Sequence, residues 1–460
     1  MRYHFSGIAG AGMNPLAQLL RARGHQVQGS DRSFDQGKNQ ELADRLRSLG
    51  ITLRRHDGTA IIRGIDRFVY STAVEADTPE MRAARQLDLE LVTRPALLAE
   101  IVNAGRPGIA IAGTCGKSTI TGMVAWLTEQ AGLAATVLGG AALVGEGVAG
   151  CFRAGPEGGG VVAEACESDG TLGGYRPSIG IVHNISRDHG EVWAVREQFA
   201  AFAASCRKLL LNAGCPEAAS LRAGKDVLTY GVSPTAAARL EVLSVGPHRA
   251  AGRLAVPGGS LALGIPQPGA HNLDNAAAAA LVALELGIAP TTIEAALARF
   301  PGVARRFEVV GVANGIRVVD DYAHNGEKLL AALTTVQAGA ERVLAVFQPH
   351  GFGPARFLRP ELRELLPRVL REHDRFCYAE IYYAGGSVQK DISSRTLAAD
   401  LPARMRCAYA ADHRAVVQWV QGEARPGDTV LIMGARDPEL PRLARAVLAS
   451  LRHSPALAVP

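Results

Sequence analysis

The sequence predicts an α/β protein of three consecutive α/β domains: a Rossmann-like N-terminal domain, a central domain opened by a phosphate loop (P-loop) and a C-terminal Rossmann-like domain. Three observations carry that prediction. The chain of 460 residues is long enough for about three domains at roughly 100–200 residues each. Short apolar runs alternate with amphipathic stretches from end to end, the pattern of strand–helix–strand units around parallel sheets. Composition breaks at Gly105-Arg-Pro-Gly108 and again after Phe300-Pro-Gly302, which sets the domains at 1–105, 106–301 and 302–460.

The first domain opens with a strand over Tyr3–Ile8, a glycine loop over Gly7–Gly12, a helix over Met13–Arg23 and a strand over Gln26–Gly29. The glycines follow G-x-x-G-x-G, and Ser30-Asp31 ends the second strand. Asp31 stands about twenty residues past the loop, where a dinucleotide-binding protein places the acid that holds a ribose. A nicotinamide-dependent oxidoreductase is therefore weighed, although no second feature of one follows. The domain continues with a strand over Arg67–Ser71, helices near Glu80–Leu87 and Pro95–Val102, and a strand over Leu89–Val92 between them.

The second domain starts at its most informative stretch, Ile109-Ala-Ile-Ala-Gly-Thr-Cys-Gly-Lys-Ser-Thr119. A buried strand runs into a glycine-bounded turn, then Lys117-Ser118, then a helical pattern from Ile120 to Ala131. Backbone N–H groups of such a turn face phosphates, the lysine neutralises them, and the hydroxyl suits a Mg²⁺ position. Ile111 occupies the position of the first glycine of the usual phosphate-loop spacing, so the pattern is the shorter G-T-x-G-K-S. Further strands are expected over Gly160–Glu164, Ile179–Asn184, Lys208–Asn212 and Asp226–Tyr230, then a β-rich segment at 235–265 and a helix over Asn272–Leu286. The third domain should hold strands over Ile316–Asp320, Arg342–Gln348 and Thr429–Met433, with helices over Lys328–Val336, Pro360–His373 and Pro441–Leu451.

Three strand ends gather polar residues: Glu164-Ala-Cys-Glu167-Ser-Asp169, His183 through Asp188-His189, and Arg305-Arg306 with Asp320-Asp321-Tyr322-Ala-His324. Ligands of parallel sheets bind at such ends. A Mg²⁺ beside Ser118 needs a carboxylate oxygen, and arginines aimed at a transferring phosphoryl group stabilise its charge.

A net charge of +5 with no run of like charges gives no nucleic-acid arm, and no apolar stretch reaches the ~18 residues of a membrane span. Seven cysteines without a C-x-x-C pair point to a reducing compartment, and the N-terminus is not a signal peptide. A cytoplasmic protein is expected.

In order and spacing these motifs resemble the Mur ligases, ATP-dependent enzymes that join a carboxylate to an amino acid or peptide in cell-wall precursor synthesis. The resemblance rests on His4 through Met13, Gly29-Ser-Asp31, Tyr70-Ser-Thr-Ala73, Asp77-Thr-Pro-Glu80, Ala112 through Ser118, Ala163 through Asp169, and Asn184 through Asp188-His189. It continues through Gly269-Ala-His-Asn272 with Asn275, Gly302 through Phe307, Asp320 through His324, and Phe347-Gln-Pro-His350. The alanine-adding branch matches best.

The resemblance implies ATP and Mg²⁺ as cofactors, and a UDP-N-acetylmuramate-type nucleotide sugar and an amino acid as substrates, in a monomer or homodimer that meets neither nucleic acid nor membrane. It implies that Gly10, Ala11 and Gly12 receive the diphosphate, with Ser30, Asp31 and Ser71 near the uridine. Gly113, Thr114, Gly116, Lys117, Ser118 and Thr119 would hold the ATP phosphates. His271, Asn272 and Asn275 would line the adenine pocket, Arg306 would reach the phosphates and Asp320 the ribose. Ser118, Glu164 and His189 would bind metal, and Lys117, Glu164, His189 and Arg306 would carry the chemistry. His324, His350 and Arg356 fall where the incoming amino acid would sit.

The chain departs from the family pattern with Cys115 for His, Cys166 for Asp, Asn325-Gly326 for His-Pro, and Gly351 through Arg356 for an Arg-aromatic-Thr-Arg run. The last two changes leave the amine acceptor open. A ligase for a recycled peptide and a nucleotide-binding protein without catalysis stand as alternatives.

Overall fold

The computed structural model describes residues 1–71, 74–75, 77–146, 152–167, 170–186, 192–221, 226–383 and 389–453. Among the described residues the strands form three sheets, distributed over two compact units. One unit holds residues 1–245, 249–266 and 270–303, and the other holds 246–248, 267–269 and the chain from 304 onward.

In the first sheet, β1 (Arg2–Ser6), β2 (Gln26–Ser30), β3 (Thr52–Arg54), β4 (Arg67–Tyr70) and β5 (Glu90–Thr93) are all parallel, in the order β3-β2-β1-β4-β5. The winding reverses at β1, so the crevice for a ligand opens at the C-terminal ends of β1 and β4.

The second sheet has ten strands. Its parallel centre is β6 (Gly108–Ala112), β7 (Thr136–Leu138), β9 (Val161–Ala165), β10 (Ile179–Val182), β11 (Lys208–Asn212) and β12 (Asp226–Gly231). The two-residue β8 (Phe152–Arg153) pairs antiparallel with β7 at one edge. At the other edge β13 (Ala238–Val245), β14 (Ala250–Val256) and β15 (Gly259–Ile265) form the antiparallel run expected at 235–265. Every residue of β6 is buried, as a central strand covered on both faces requires. The helix Arg94–Ala104 packs on both sheets, and one hydrophobic cluster joins them through Leu98, Val102, Ala110, Val161 and Phe199.

In the second unit β16 (Glu308–Ala313) lies antiparallel to β17 (Ile316–Asp321), and β18 (Arg342–Gln348), β19 (Arg375–Ala379), β20 (Ala408–Ala410) and β21 (Asp428–Gly434) continue in parallel, in the order β16-β17-β21-β18-β19-β20. Alternate residues bury on opposite faces: Val318, Leu344 and Val430 enter one core, Val319, Val343 and Leu431 the other.

One helix differs from expectation. Pro360 does not open a helix; it lies inside one that spans Phe352–Val369. Gly351-Phe-Gly-Pro354 resembles a loop in sequence. Pro354, however, falls in the first turn, where the N–H it lacks would have no intrahelical partner. The helix Lys117–Gln130 also starts earlier than the apolar periodicity indicates, because its first turn is polar and buried at the phosphate loop.

Candidate functional site

The first cluster sits at the crevice of the first sheet. Gly7 takes φ +82°, which lets the chain leave β1 and turn back, and its N–H and that of Ile8 donate to Ser30 O at 2.9 and 3.0 Å. Ala9 N donates to Asp31 Oδ2 at 3.0 Å, while Asp31 Oδ1 takes Ser33 N and Oγ at 2.9 and 2.7 Å. Asp31 is thus first an anchor for the loop and a cap for the helix Arg32–Asp35. Gly10 and Ala11 are exposed at the loop tip, and the Arg94 side chain lies against Gly12, 2.9 Å from where a Cβ would stand. Ser71 follows β4 at the same sheet edge, whereas Ser30 is fully buried.

Gly29 makes this packing possible, since a Cβ there would stand 2.6 Å from Ile8 Cδ1 and 2.8 Å from Phe5 O. Gly29→Ala should cost about 1–3 kcal/mol by overpacking, read as a lowered urea midpoint.

The second cluster is the phosphate loop between β6 and the helix Lys117–Gln130. Gly116 caps that helix in the left-handed region at φ +84°. The segment after β10 braces the loop: Cys115 N donates to Asn184 Oδ1 at 2.7 Å, Thr114 N to Asn184 O at 3.0 Å, and Ser186 N to Thr114 Oγ1 at 3.0 Å. Lys117 Nζ donates to the carbonyl of Gly113 and, at 2.8 Å, to Glu167 Oε2. Burial opposes the lysine charge. Glu167, with Cys166 and Glu164 behind it, more than offsets that and holds the ammonium above its ordinary pKa. Lys117 is a fixed cation.

Ser118 and Thr119 follow in the buried first turn. Glu164 lies on β9 in register with Ile111 of β6, and its Oε1 accepts Gly140 N at 3.0 Å. His271, Asn272 and Asn275 share the first turns of the helix Ala270–Glu285. Asn275 Oδ1 is buried without a hydrogen-bond partner, and a Cβ on Gly116 would meet it at 2.4 Å. His183 was not given a role by sequence reasoning. Its Nδ1 bonds to Tyr230 Oη at 2.7 Å, its ring edge lies under Gly116, and burial lowers its pKa to about 4, so it is neutral. Asp188 and His189 lie outside the described residues. Among the described residues no three His, Cys, Asp or Glu side chains gather as a metal site.

The third cluster, in the second unit, joins the turn before β16 to the end of β17. Arg305 and Phe307 take φ +59° and +53°, strained values for residues with side chains, and a bonding network holds them there. Phe307 N donates to Asp321 Oδ2 at 2.7 Å, and Tyr322 N to Arg305 O at 2.8 Å. Asp320 is buried against Arg305 Nε at 3.3 Å, so its carboxylate holds an arginine side chain; burial raises its pKa to about 6. The Arg306 guanidinium stacks over Tyr322 at 4.7 Å. His324 and His350, from the ends of β17 and β18, meet edge to face at 5.4 Å. Asn325 caps the helix Gly326–Gln337 by accepting Lys328 N at 3.0 Å, and the Glu361 side chain fills the space beside Gly326. Arg356 is paired with Asp391 and donates to Gln389 O at 3.1 Å.

Sheets and loops together define an α/β protein of the phosphate-loop class, with a second glycine loop on a separate parallel sheet. The chain belongs to the Mur ligase family. Residues 2–106 match the family's catalytic-domain model, 111–283 its middle-domain model and 305–436 its glutamate ligase domain model. The UDP-N-acetylmuramate–L-alanine ligase of Phenylobacterium zucineum is 35% identical over 453 residues, covering 94% of this chain and 92% of that protein. The enzyme of the same name from Kineococcus radiotolerans is 37% identical over 455 residues, covering 95% and 93%. A solved UDP-N-acetylmuramate–alanine ligase from Thermotoga maritima shares the fold at TM-score 0.79 and 23% identity, over 98% of both chains.

Proposed function

We propose that this protein forms an amide bond between the carboxylate of a UDP-N-acetylmuramate-type nucleotide sugar and an amino acid, driven by ATP, in peptidoglycan precursor synthesis. The observation that carries the reading is Lys117, a partly buried cation whose charge Glu167 stabilises, following a left-handed glycine at a helix N-terminus. Full-length similarity to ligases of that name supports it.

On this reading residues 1–105 hold the nucleotide sugar, 106–301 ATP, and 302–460 the amine. Lys117 and the N–H groups of Gly113 through Thr119 hold the phosphates, and His271, Asn272 and Asn275 the adenine. The carboxylate oxygen attacks the γ-phosphorus, ADP leaves, and the amine then displaces phosphate from the acyl phosphate. The protein's part is positioning and charge stabilisation. Ser118 and Glu164 offer hard oxygen donors that fit Mg²⁺, with His189 as the third expected ligand. The metal would neutralise phosphate charge. Arg306, stacked on Tyr322, supplies a further cation, and a cytoplasmic location fits these substrates.

The acceptor is set where the chain departs from its family. Arg356 is engaged by Asp391, and Glu361 beside Gly326 adds negative charge near the expected amine site. Phosphate release measured with ATP, UDP-N-acetylmuramate and a panel of amino acids and short peptides tests this. Release that needs all three substrates is expected, strongest with an amine other than L-alanine. Strict L-alanine specificity would remove the altered-acceptor reading alone, and no release with any amine would remove the ligase reading.

A further inference from the structure

We propose that Glu80 is a positioning residue for the nucleotide-sugar site, setting the glycine loop of the first sheet through Ser6, Ser30 and His56. This rests on the functional reading above. Glu80 lies in the first turn of the helix Pro79–Gln86, after β4, and its side chain is fully buried. From there it reaches the ends of the two neighbouring strands. Ser6 Oγ, ending β1, donates to Oε2 at 2.6 Å, and Ser30 Oγ, ending β2, donates to Oε1 at 2.6 Å. His56 Nδ1 stands 2.9 Å from Oε2, and His4 Nε2 stands 3.3 Å from Oε1.

Ser30 is the residue whose carbonyl takes the N–H groups of Gly7 and Ile8, and the next residue, Asp31, takes that of Ala9. One carboxylate therefore fixes the strand end on which three successive loop N–H groups hang. It does so underneath the crevice between β1 and β4, where the sheet's winding reverses. A carboxylate buried for packing alone would be costly; four polar partners converging on it from three segments give it a defined geometry.

His56 makes the arrangement sensitive to pH. Its bond to Glu80 raises its pKa against the opposing pull of burial. The charged groups around it are Glu80 and Asp31, which favour its charge, Arg32, which disfavours it, and Glu75, whose carboxylate pKa the His56 charge helps to hold down; Asp35 accepts its backbone N–H. Burial pushes Glu80 upward, but the nearby His4 and the bonds from His56 and Ser30 outweigh that and hold it well below the usual carboxylate range. A raised histidine pKa means the charged pair is complete below the ordinary value near 6.5 and is lost as pH rises through the raised one. The KM for the nucleotide sugar should therefore climb with pH through that point, while the KM for ATP should not follow it.

The test compares wild type, Glu80→Gln, His56→Gln and the control Glu100→Gln, an exposed partner of Arg67. Steady-state kinetics and calorimetric titration with UDP-N-acetylmuramate are run from about pH 6 to 9, spanning histidine titration. Glu80→Gln should raise KM and Kd for the nucleotide sugar about tenfold or more, as loss of hydrogen bonds to a charged group does, with kcat and the KM for ATP within about twofold. His56→Gln should flatten the pH dependence, and the control should match wild type. If Glu80→Gln does not fold, His56→Gln decides alone. A folded variant whose KM and pH profile match wild type overturns the inference. Failure of wild type itself to bind UDP-N-acetylmuramate removes the functional reading, and this inference with it.

Discussion

Lys117→Ala is expected to lower ATP-dependent phosphate release by about a thousandfold or more, the scale seen when a cation is removed from a phosphoryl-transfer site. The size follows from the state of the lysine before any nucleotide arrives. Glu167 and the Gly113 carbonyl already hold the ammonium in place, so no ordering cost remains when phosphates replace those contacts. The substitution also leaves Glu167, 4% exposed, without its partner. The variant should therefore be less stable as well as inactive, and thermal melting beside the assay separates the two effects. Equal, near-zero turnover in wild type and Lys117→Ala with every amine would favour a nucleotide-binding protein without catalysis.

Gly116→Ala is expected to weaken ATP binding by about 10- to 100-fold, read by calorimetry, and to lower the melting temperature as well, since the free protein carries the same strain. Two costs combine. An alanine at φ +84° pays about 1–2 kcal/mol for the left-handed conformation. Its Cβ would also stand 2.4 Å from Asn275 Oδ1 and 2.9 Å from His183 Cδ2, and neither neighbour can retreat freely. Asn275 is bonded to Asn272, and His183 to Tyr230. Relief must come from the loop itself, which moves the N–H groups meant for phosphate. Unchanged ATP affinity in this variant would mean the loop does not hold the nucleotide.

What was legible in the sequence was what neighbouring residues decide. The apolar run of β6, the glycine turn after it and the start of the first domain could be read because strand period, turn chemistry and helix period are local. Long-range partnerships were not legible. Glu80 meets Ser6 and Ser30 across 74 and 50 residues, and Lys117 meets Glu167 across 50. In sequence Glu80 is one acid in a turn, and Asp31 looks like a ribose ligand when its oxygens are spent first on Ala9 and Ser33. The helix Phe352–Val369 departs from expectation for a different reason: Gly353 and Pro354 fall in its first turn, where they are tolerated, while Pro360 and Pro367 lie in its interior, where local rules place a break.

The account turns on phosphate being transferred to a carboxylate before the amine enters, and isotope transfer reads that step. UDP-N-acetylmuramate carrying ¹⁸O in its carboxylate is incubated with the protein, ATP and the amine selected by the panel, and the released phosphate is weighed by mass spectrometry. Attack by the carboxylate on the γ-phosphorus, followed by displacement by the amine, leaves one carboxylate oxygen in each phosphate, so one ¹⁸O per phosphate is the predicted result. Phosphate released without ¹⁸O would mean that water, and not the carboxylate, takes the phosphoryl group, and would contradict the account.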